Sequence, residues 1–172
     1  MPHTLPTRFD YEDYRLLPDD GRRYEVLGGE LHMTPAPSPQ HQHASKRLLA
    51  VLVQYFEDAR RAHVFYSPLD VILAPDDVVQ PDLVVVREAR QISSRGIEGP
   101  PLVVVEITSP GRLLYDRTVK AKRYAARAVP HYWILDPDER RFECFRLEDD
   151  RYVLRASGTE SEHLKVPDFP GL

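Results

Sequence analysis

The chain has 172 residues, 42% of them hydrophobic and 29% charged, which suits one globular domain with a proper core and leaves too little for two. Its formal net charge of -4 weighs against a nucleic-acid binder, because such proteins usually present a basic face. No apolar run approaches the roughly 20 residues of a membrane span, and the first residues, MPHTLPTRFDYED, lack the basic-then-apolar order of a secretory signal, so a cytoplasmic protein is expected.

Sixteen prolines cut the chain into short segments. Phe9 to Leu17 reads as a short amphipathic helix ended by Pro18. In RRYEVLGGELHM, Gly28-Gly29 separates two alternating runs, the pattern of a two-residue hairpin that pairs Val26 with Leu31 and Glu25 with His32. The loop TPAPSPQ follows. From His41 to about Arg60, apolar positions including Leu48, Leu49, Leu52 and Phe56 recur at helical spacing and predict the longest helix. His63 to Leu73 alternates as a strand interrupted by Pro68, and APDDVVQ reads as a turn.

Pro81-Asp82 opens the apolar run Leu83 to Val86, and Leu102 to Thr108 is a second such run beyond the polar loop REARQISSRGIEGPP. Runs without alternation predict central strands covered on both faces. A helix is expected from about Asp116 to Ala128, then a strand, HYWILD, after Pro130. A helix between two apolar strands is a crossover, so those strands should run parallel. RRFECFRLEDDRYVLRAS predicts an edge hairpin, and the lone Cys144 within it is expected to be packed, with no partner for a disulfide or a zinc site. The elements together predict a mixed sheet, three of its strands a meander, with helices packed on it.

If Leu83–Val86 and Leu102–Ile107 pair antiparallel about a loop centred on Ser94, Asp82 falls opposite Glu106. Directly opposed residues lie about 5 Å apart at Cβ. Two carboxylates that close raise each other's pKa unless a cation sits between them, and an oxygen-rich pair suits Mg2+ or Mn2+. Taken singly, each acid reads as the polar end of a strand. Taken together they read as a site, because Glu106 interrupts an apolar strand where Asp82 would face it, and a buried charge needs a partner. Asp116, Lys120 and Tyr124 are spaced i, i+4, i+8 and share a helix face, which the crossover carries back over the sheet. An ammonium there would stabilise charge on a phosphate or orient an attacking water; an Asp116–Lys120 helix ion pair is the equally weighted alternative. Between Arg112 and Arg127 six basic residues stand against one acid, Asp116, giving either a basic stripe or, more simply, a solvated helix face.

Pro81-Asp82 followed by Glu106 resembles the PD-(D/E)XK nuclease superfamily, and more closely its Uma-type bacterial branch of endonucleases. RRYEVLGGEL, PAPSPQH, QPDLVVV, GPPLVVVEITSP, the Asp116–Lys120–Tyr124 spacing and VPHYWILDP stand in that family's order. The resemblance implies a restriction-endonuclease-like α/β (α+β) fold, one nuclease-like domain over residues 1–172, whose mixed sheet carries an N-terminal and a C-terminal hairpin. It implies that Asp82, Glu106 and the backbone carbonyl of Ile107 ligate Mg2+ or Mn2+, and that Glu25 completes the acidic site. The usual lysine two residues past the glutamate is absent, since Thr108 stands there, and Lys120 takes its place. His41 matches a family histidine at the start of the long helix, with packing against the loop as its equal alternative, and Tyr124 matches in a supporting role. Ala128 and His131 depart from the family's glycine and acid, both outside the site. The implied activity is metal-dependent endonucleolytic hydrolysis of DNA. Two readings stay open beside it. One is a catalytically silent nuclease fold serving as a binding or regulatory module, in homodimeric form. The other is a hydrolase of small phosphorylated substrates, for which no glycine-rich phosphate cradle is found.

Overall fold

Asp10 forms a capping box with Asp13 and starts α1 (Tyr11–Tyr14). The helix stops short of the predicted Leu17, because the residue before Pro18 disfavours helical backbone and the turn buries no residue that would hold it longer. The computed structural model describes residues 8–159 and 162–172; the first seven residues, where the reading of no secretory signal begins, lie outside the described residues. Gly28 and Gly29, at φ 61° and 81°, close the hairpin of β1 (Arg23–Leu27) and β2 (Glu30–Thr34) with Val26 opposite Leu31 and Glu25 opposite His32. Both glycines are left-handed, as a two-residue hairpin turn requires. Ser38 caps α2 (Pro39–Leu52), which runs on as a π-helical segment, Val53–Glu57.

β3 (His63–Tyr66) and β4 (Val71–Ala74) replace the single interrupted strand and belong to different sheets; Pro68, between them, has no N–H to continue a ladder. β5 (Asp77–Val79) lies where the sequence predicts a turn. Its Asp77 is fully buried, accepts the Gly28 N–H at 2.7 Å and pairs with Arg127 at 2.6 Å, so an acid that polarity places at the surface sits inside a sheet. β6 (Leu83–Val86) follows. The predicted polar loop holds two short strands, β7 (Ile92–Ser93) and β8 (Gly96–Glu98), each too brief to show a period. Next come β9 (Val103–Ile107), α3 (Leu113–Tyr115), a π-helical turn Asp116–Lys120 and α4 (Ala121–Ala126). β10 (His131–Asp136), β11 (Arg141–Glu148) and β12 (Arg151–Thr159) complete the strands.

Among the described residues the strands form two six-stranded sheets, β2-β1-β5-β4-β8-β7 and β12-β11-β10-β9-β6-β3, where the sequence predicts a single mixed one. The apolar runs explain the second layer, because β6, β9 and β10 need cover on both faces. Val84, Val86, Val104 and Ile134 pack with Leu27, Val79 and Ile97 of the first sheet and with Tyr124. On the other face Leu83, Val85, Val103, Val105 and Trp133 pack with Leu52, Phe56 and Phe169. Each such side chain contributes about 1.5–3 kcal/mol when fully buried. β9 and β10 are parallel, as a crossover through α3 and α4 demands. The β11–β12 hairpin forms the sheet edge as predicted, and Cys144 is free and buried. Among the described residues no helix is long and apolar enough to cross a membrane.

Candidate active site

β6 and β9 pair antiparallel with Leu83 opposite Val105 and Val84 opposite Val104. One step further, Asp82 and Glu106 reach neighbouring positions at the end of the sheet, both buried. Asp82 Oδ2 accepts the Ile107 N–H at 2.8 Å and lies 3.1 Å from His41 Nε2. The capped first turn of α2 brings His41 there, with the Ser38 hydroxyl accepting the His41 N–H at 3.2 Å. Glu106 Oε1 accepts the Tyr124 hydroxyl at 2.6 Å and the Lys120 ammonium at 3.0 Å. The same ammonium donates to Glu25 at 3.2 Å. Glu25, in β1, also accepts the Gln80 N–H at 2.9 Å and the Thr34 hydroxyl at 3.3 Å.

The structure thus gathers Asp82, Glu106, Ile107, Lys120 and Glu25 in one place, with His41 and Tyr124 touching the two strand-end acids. Burial alone would lower the pKa of Lys120, but Glu106, Glu25 and Asp116 outweigh it and raise it, so the side chain stays an ammonium. Burial pushes the Glu106 carboxyl up; Lys120 opposes, and Asp82 and Glu25 add to the rise. Burial acts on Glu25 too, yet Lys120 and the Gln80 N–H bring it below its ordinary value. The Tyr124 phenol is raised well above its usual value by burial and by Glu106, which keeps it a neutral donor.

A cavity of about 50 Å³ opens beside these groups, with Asp82, Glu106, Ile107, Asp116 and Lys120 on its wall. The hydrogen bonds to the two strand-end acids fall on Asp82 Oδ2 and Glu106 Oε1, which leaves one oxygen of each carboxylate for another partner. Among the described residues no three His, Cys, Asp or Glu side chains converge on one point. The available donor set is therefore two carboxylate oxygens and the Ile107 carbonyl, all hard oxygens. Such a set fits Mg2+ or Mn2+, which are commonly held by one or two carboxylates and keep several waters. A cation between the two acids would also restore the ionised form that burial disfavours at Glu106. Glu25 stands behind Lys120, both its oxygens engaged by Lys120, Gln80 and Thr34, and so serves the lysine more directly than an ion in the cavity.

Much of the predicted basic stripe is tied up in ion pairs, with Lys122 exposed. Arg117 pairs with Glu143, Arg123 with Asp77, and Arg127 with Asp76 and Asp77, while Lys120 is buried. Arg112 stacks on Tyr115 at 4.4 Å and reaches the cavity wall. Arg23 and Gln80 are among the wall residues that the sequence does not single out. Arg23 lies in an alternating strand and Gln80 ahead of a proline, and both fall inside the matched stretches without a role assigned to them. Asp116 is legible only through its helical spacing from Lys120.

Over residues 11–172 the sequence matches the model of the Uma2 family, described as "Putative restriction endonuclease". No curated protein matches. Among solved structures the chain is similar to one from Anabaena variabilis described as "a putative nuclease belonging to DUF820". The two are 20% identical with a TM-score of 0.74, and the match covers 94% of this chain and 91% of that one. At that identity the likeness is one of fold.

Proposed function

The chain belongs to the Uma2 family and has a restriction-endonuclease-like mixed α+β fold, and from that premise we propose that it is a metal-dependent endonuclease hydrolysing phosphodiester bonds of DNA. The observation that carries the reading is the meeting of Asp82 and Glu106 across the β6–β9 register with the Lys120 ammonium 3.0 Å from Glu106. Asp82, Glu106 and the Ile107 carbonyl would hold Mg2+ or Mn2+, which when bound activates a water for attack and neutralises phosphate charge. The Ile107 N–H and the Tyr124 hydroxyl fix the orientation of the two carboxylates. Lys120 has three ammonium donors, two of them turned to Glu25 and Glu106. The third is left for an oxygen of the substrate phosphate, where a fixed positive charge stabilises the transition state. With its pKa raised, Lys120 acts as a cation and not as a base.

Calorimetric titration with Mn2+ and cleavage of a DNA oligonucleotide test this together. The wild-type protein should bind Mn2+ and cut, Asp82→Asn should lose both, and Lys120→Ala should lose cleavage. Cleavage that persists in both variants would remove the mechanism. The net charge of -4 and the pairing of Arg117, Arg123 and Arg127 with acids favour a second reading, a catalytically silent module of the same fold, and a wild-type protein that binds no Mn2+ would select it.

A further inference from the structure

The small cavity shares Arg23, Pro37, His41 and Asp82 with a larger one of about 500 Å³. Two further parts of the larger wall are α2, with Lys46 and Leu49, and the end of β3, with Tyr66. Tyr66 lies opposite Leu83 in the ladder, and the Ser67 N–H donates to the Asp82 carbonyl at 3.0 Å. The backbone that carries Asp82 therefore also places the Tyr66 ring. That ring is 63% exposed, a large aromatic left in water beside the candidate catalytic acids. Among the described residues Asp82 is the only acid on this wall, which also carries Arg23 and Lys46. Arg23 donates to the Ser67 hydroxyl, but its Nε is buried without a partner among the described residues, a donor for which they supply no acceptor.

An aromatic face beside cations is how proteins hold unpaired nucleic acid: bases stack on the ring and the backbone follows the charge. A volume of about 500 Å³ is that of a pocket for one small ligand, not of a groove for a duplex. A base inside a duplex has both faces covered by its neighbours, so it reaches a protein ring only by leaving the stack. We propose that this cavity seats one unpaired nucleotide beside the phosphate at Asp82 and Glu106. Its base lies on Tyr66 and its backbone is held by Arg23 and Lys46, so the substrate is single-stranded or frayed nucleic acid and not continuous duplex. The inference rests on the nuclease reading above and narrows its substrate.

Fluorescence anisotropy with a short labelled DNA strand, alone and annealed to its complement, tests it in EDTA, where no metal site is needed. The single strand should bind about tenfold or more tightly than the duplex. Tyr66→Ala should weaken single-strand binding about tenfold, the loss of one stacked base, with no change in melting temperature, and Tyr66→Phe should retain it. Lys46→Ala should reduce the salt dependence by about one charge. Duplex binding as tight as single-strand binding, or a Tyr66→Ala variant with undiminished affinity, would overturn the inference. Mn2+ titration of the same protein separates the two claims. Mn2+ binding without strand preference overturns this inference alone. Strand preference without Mn2+ binding supports the nucleotide seat and overturns the metal reading.

Discussion

Lys120→Met removes the one cation that lies between Glu25 and Glu106. The ammonium is 3.2 Å from the first and 3.0 Å from the second, and all three side chains are buried. At an effective dielectric of about 20, each contact has a gross attraction of about 5 kcal/mol, offset by a desolvation cost of several kcal/mol per ion. Removing one partner leaves buried charge uncompensated, and the expected loss is about 3–5 kcal/mol of folding stability. The two acids do not share it equally. Glu106, which burial already pushes toward its neutral form, takes a proton and escapes part of the repulsion, whereas Glu25 depends on Lys120 for its low pKa. Adding Glu25→Gln should therefore recover about 2 kcal/mol of the loss, a coupling visible in a double-mutant cycle. Urea unfolding followed through the single, buried Trp133 measures both values. Cleavage by Lys120→Met should fall about 10²–10³-fold, the effect of one lost electrostatic donor, with Mn2+ affinity no weaker than wild type, since a positive charge has left the site. A cost below about 1 kcal/mol, with no recovery on adding Glu25→Gln, would refute the buried-clamp argument.

Tyr124→Phe removes the 2.6 Å hydrogen bond to Glu106 and should cost about 1–2 kcal/mol in the same unfolding assay, with cleavage reduced because Glu106 loses its orientation. Gly28→Ala should cost at least about 1 kcal/mol: φ is 61°, and the added Cβ would fall 1.1 Å from the Arg123 guanidinium, which would have to leave Asp77. Thermal melts compare it with Gly21→Ala, where φ is also positive but the added Cβ meets nothing within 4 Å; equal losses would remove the role given to Arg123. Burial holds the His131 imidazole down at about 4, against the opposing pull of Asp168, while an unfolded histidine titrates near about 6.5. The unfolded chain therefore binds the proton first, and stability should decline as pH falls from about 6.5 to about 4 and be fully present above that window. His131→Gln should flatten this slope, and equal slopes in variant and wild type would show that other groups produce it.

The parts of the molecule that follow from local periodicity were legible in the sequence. The Gly28-Gly29 hairpin has the register that alternation predicts, and the apolar runs gave β6 and β9 with the pairing that juxtaposes Asp82 and Glu106. The helix after β9 required β10 to be parallel to it, and it is. What the sequence hid depends on distant partners. Asp76 and Asp77 read as a turn, and distant partners, Gly28, Arg123 and Arg127, let Asp77 lie in a strand. β7 and β8 are too short to show alternation, and without them and β5 the first sheet has no visible body. Arg23 is a cavity residue only because β3 brings Ser67 against it, across 44 residues.

Lys120 shows how a helix can supply a charge that the neighbouring strand lacks. Asp116, Lys120 and Tyr124 are all buried, yet a pure α-helix would not keep them in line. At 3.6 residues per turn, each step of four overshoots a full turn by about 40°, so the three would fan across about 80° of the surface. Here the first step is π-helical, with the Ala121 N–H reaching back to the Asp116 carbonyl. A turn closed by i→i+5 bonds takes more residues per revolution, so the step from Asp116 to Lys120 falls short where an α step would overshoot. The α step from Lys120 to Tyr124 errs the other way and the two deviations oppose. The net effect brings Asp116 and Tyr124 nearly into line with Lys120 between them; Lys120 and Tyr124, one α step apart, both meet Glu106 Oε1, and Asp116 borders the same cavity as Lys120. Thr108 stands on the strand two residues beyond Glu106, and the π turn keeps Asp116 on the helix face that carries Lys120, so that both border the cavity.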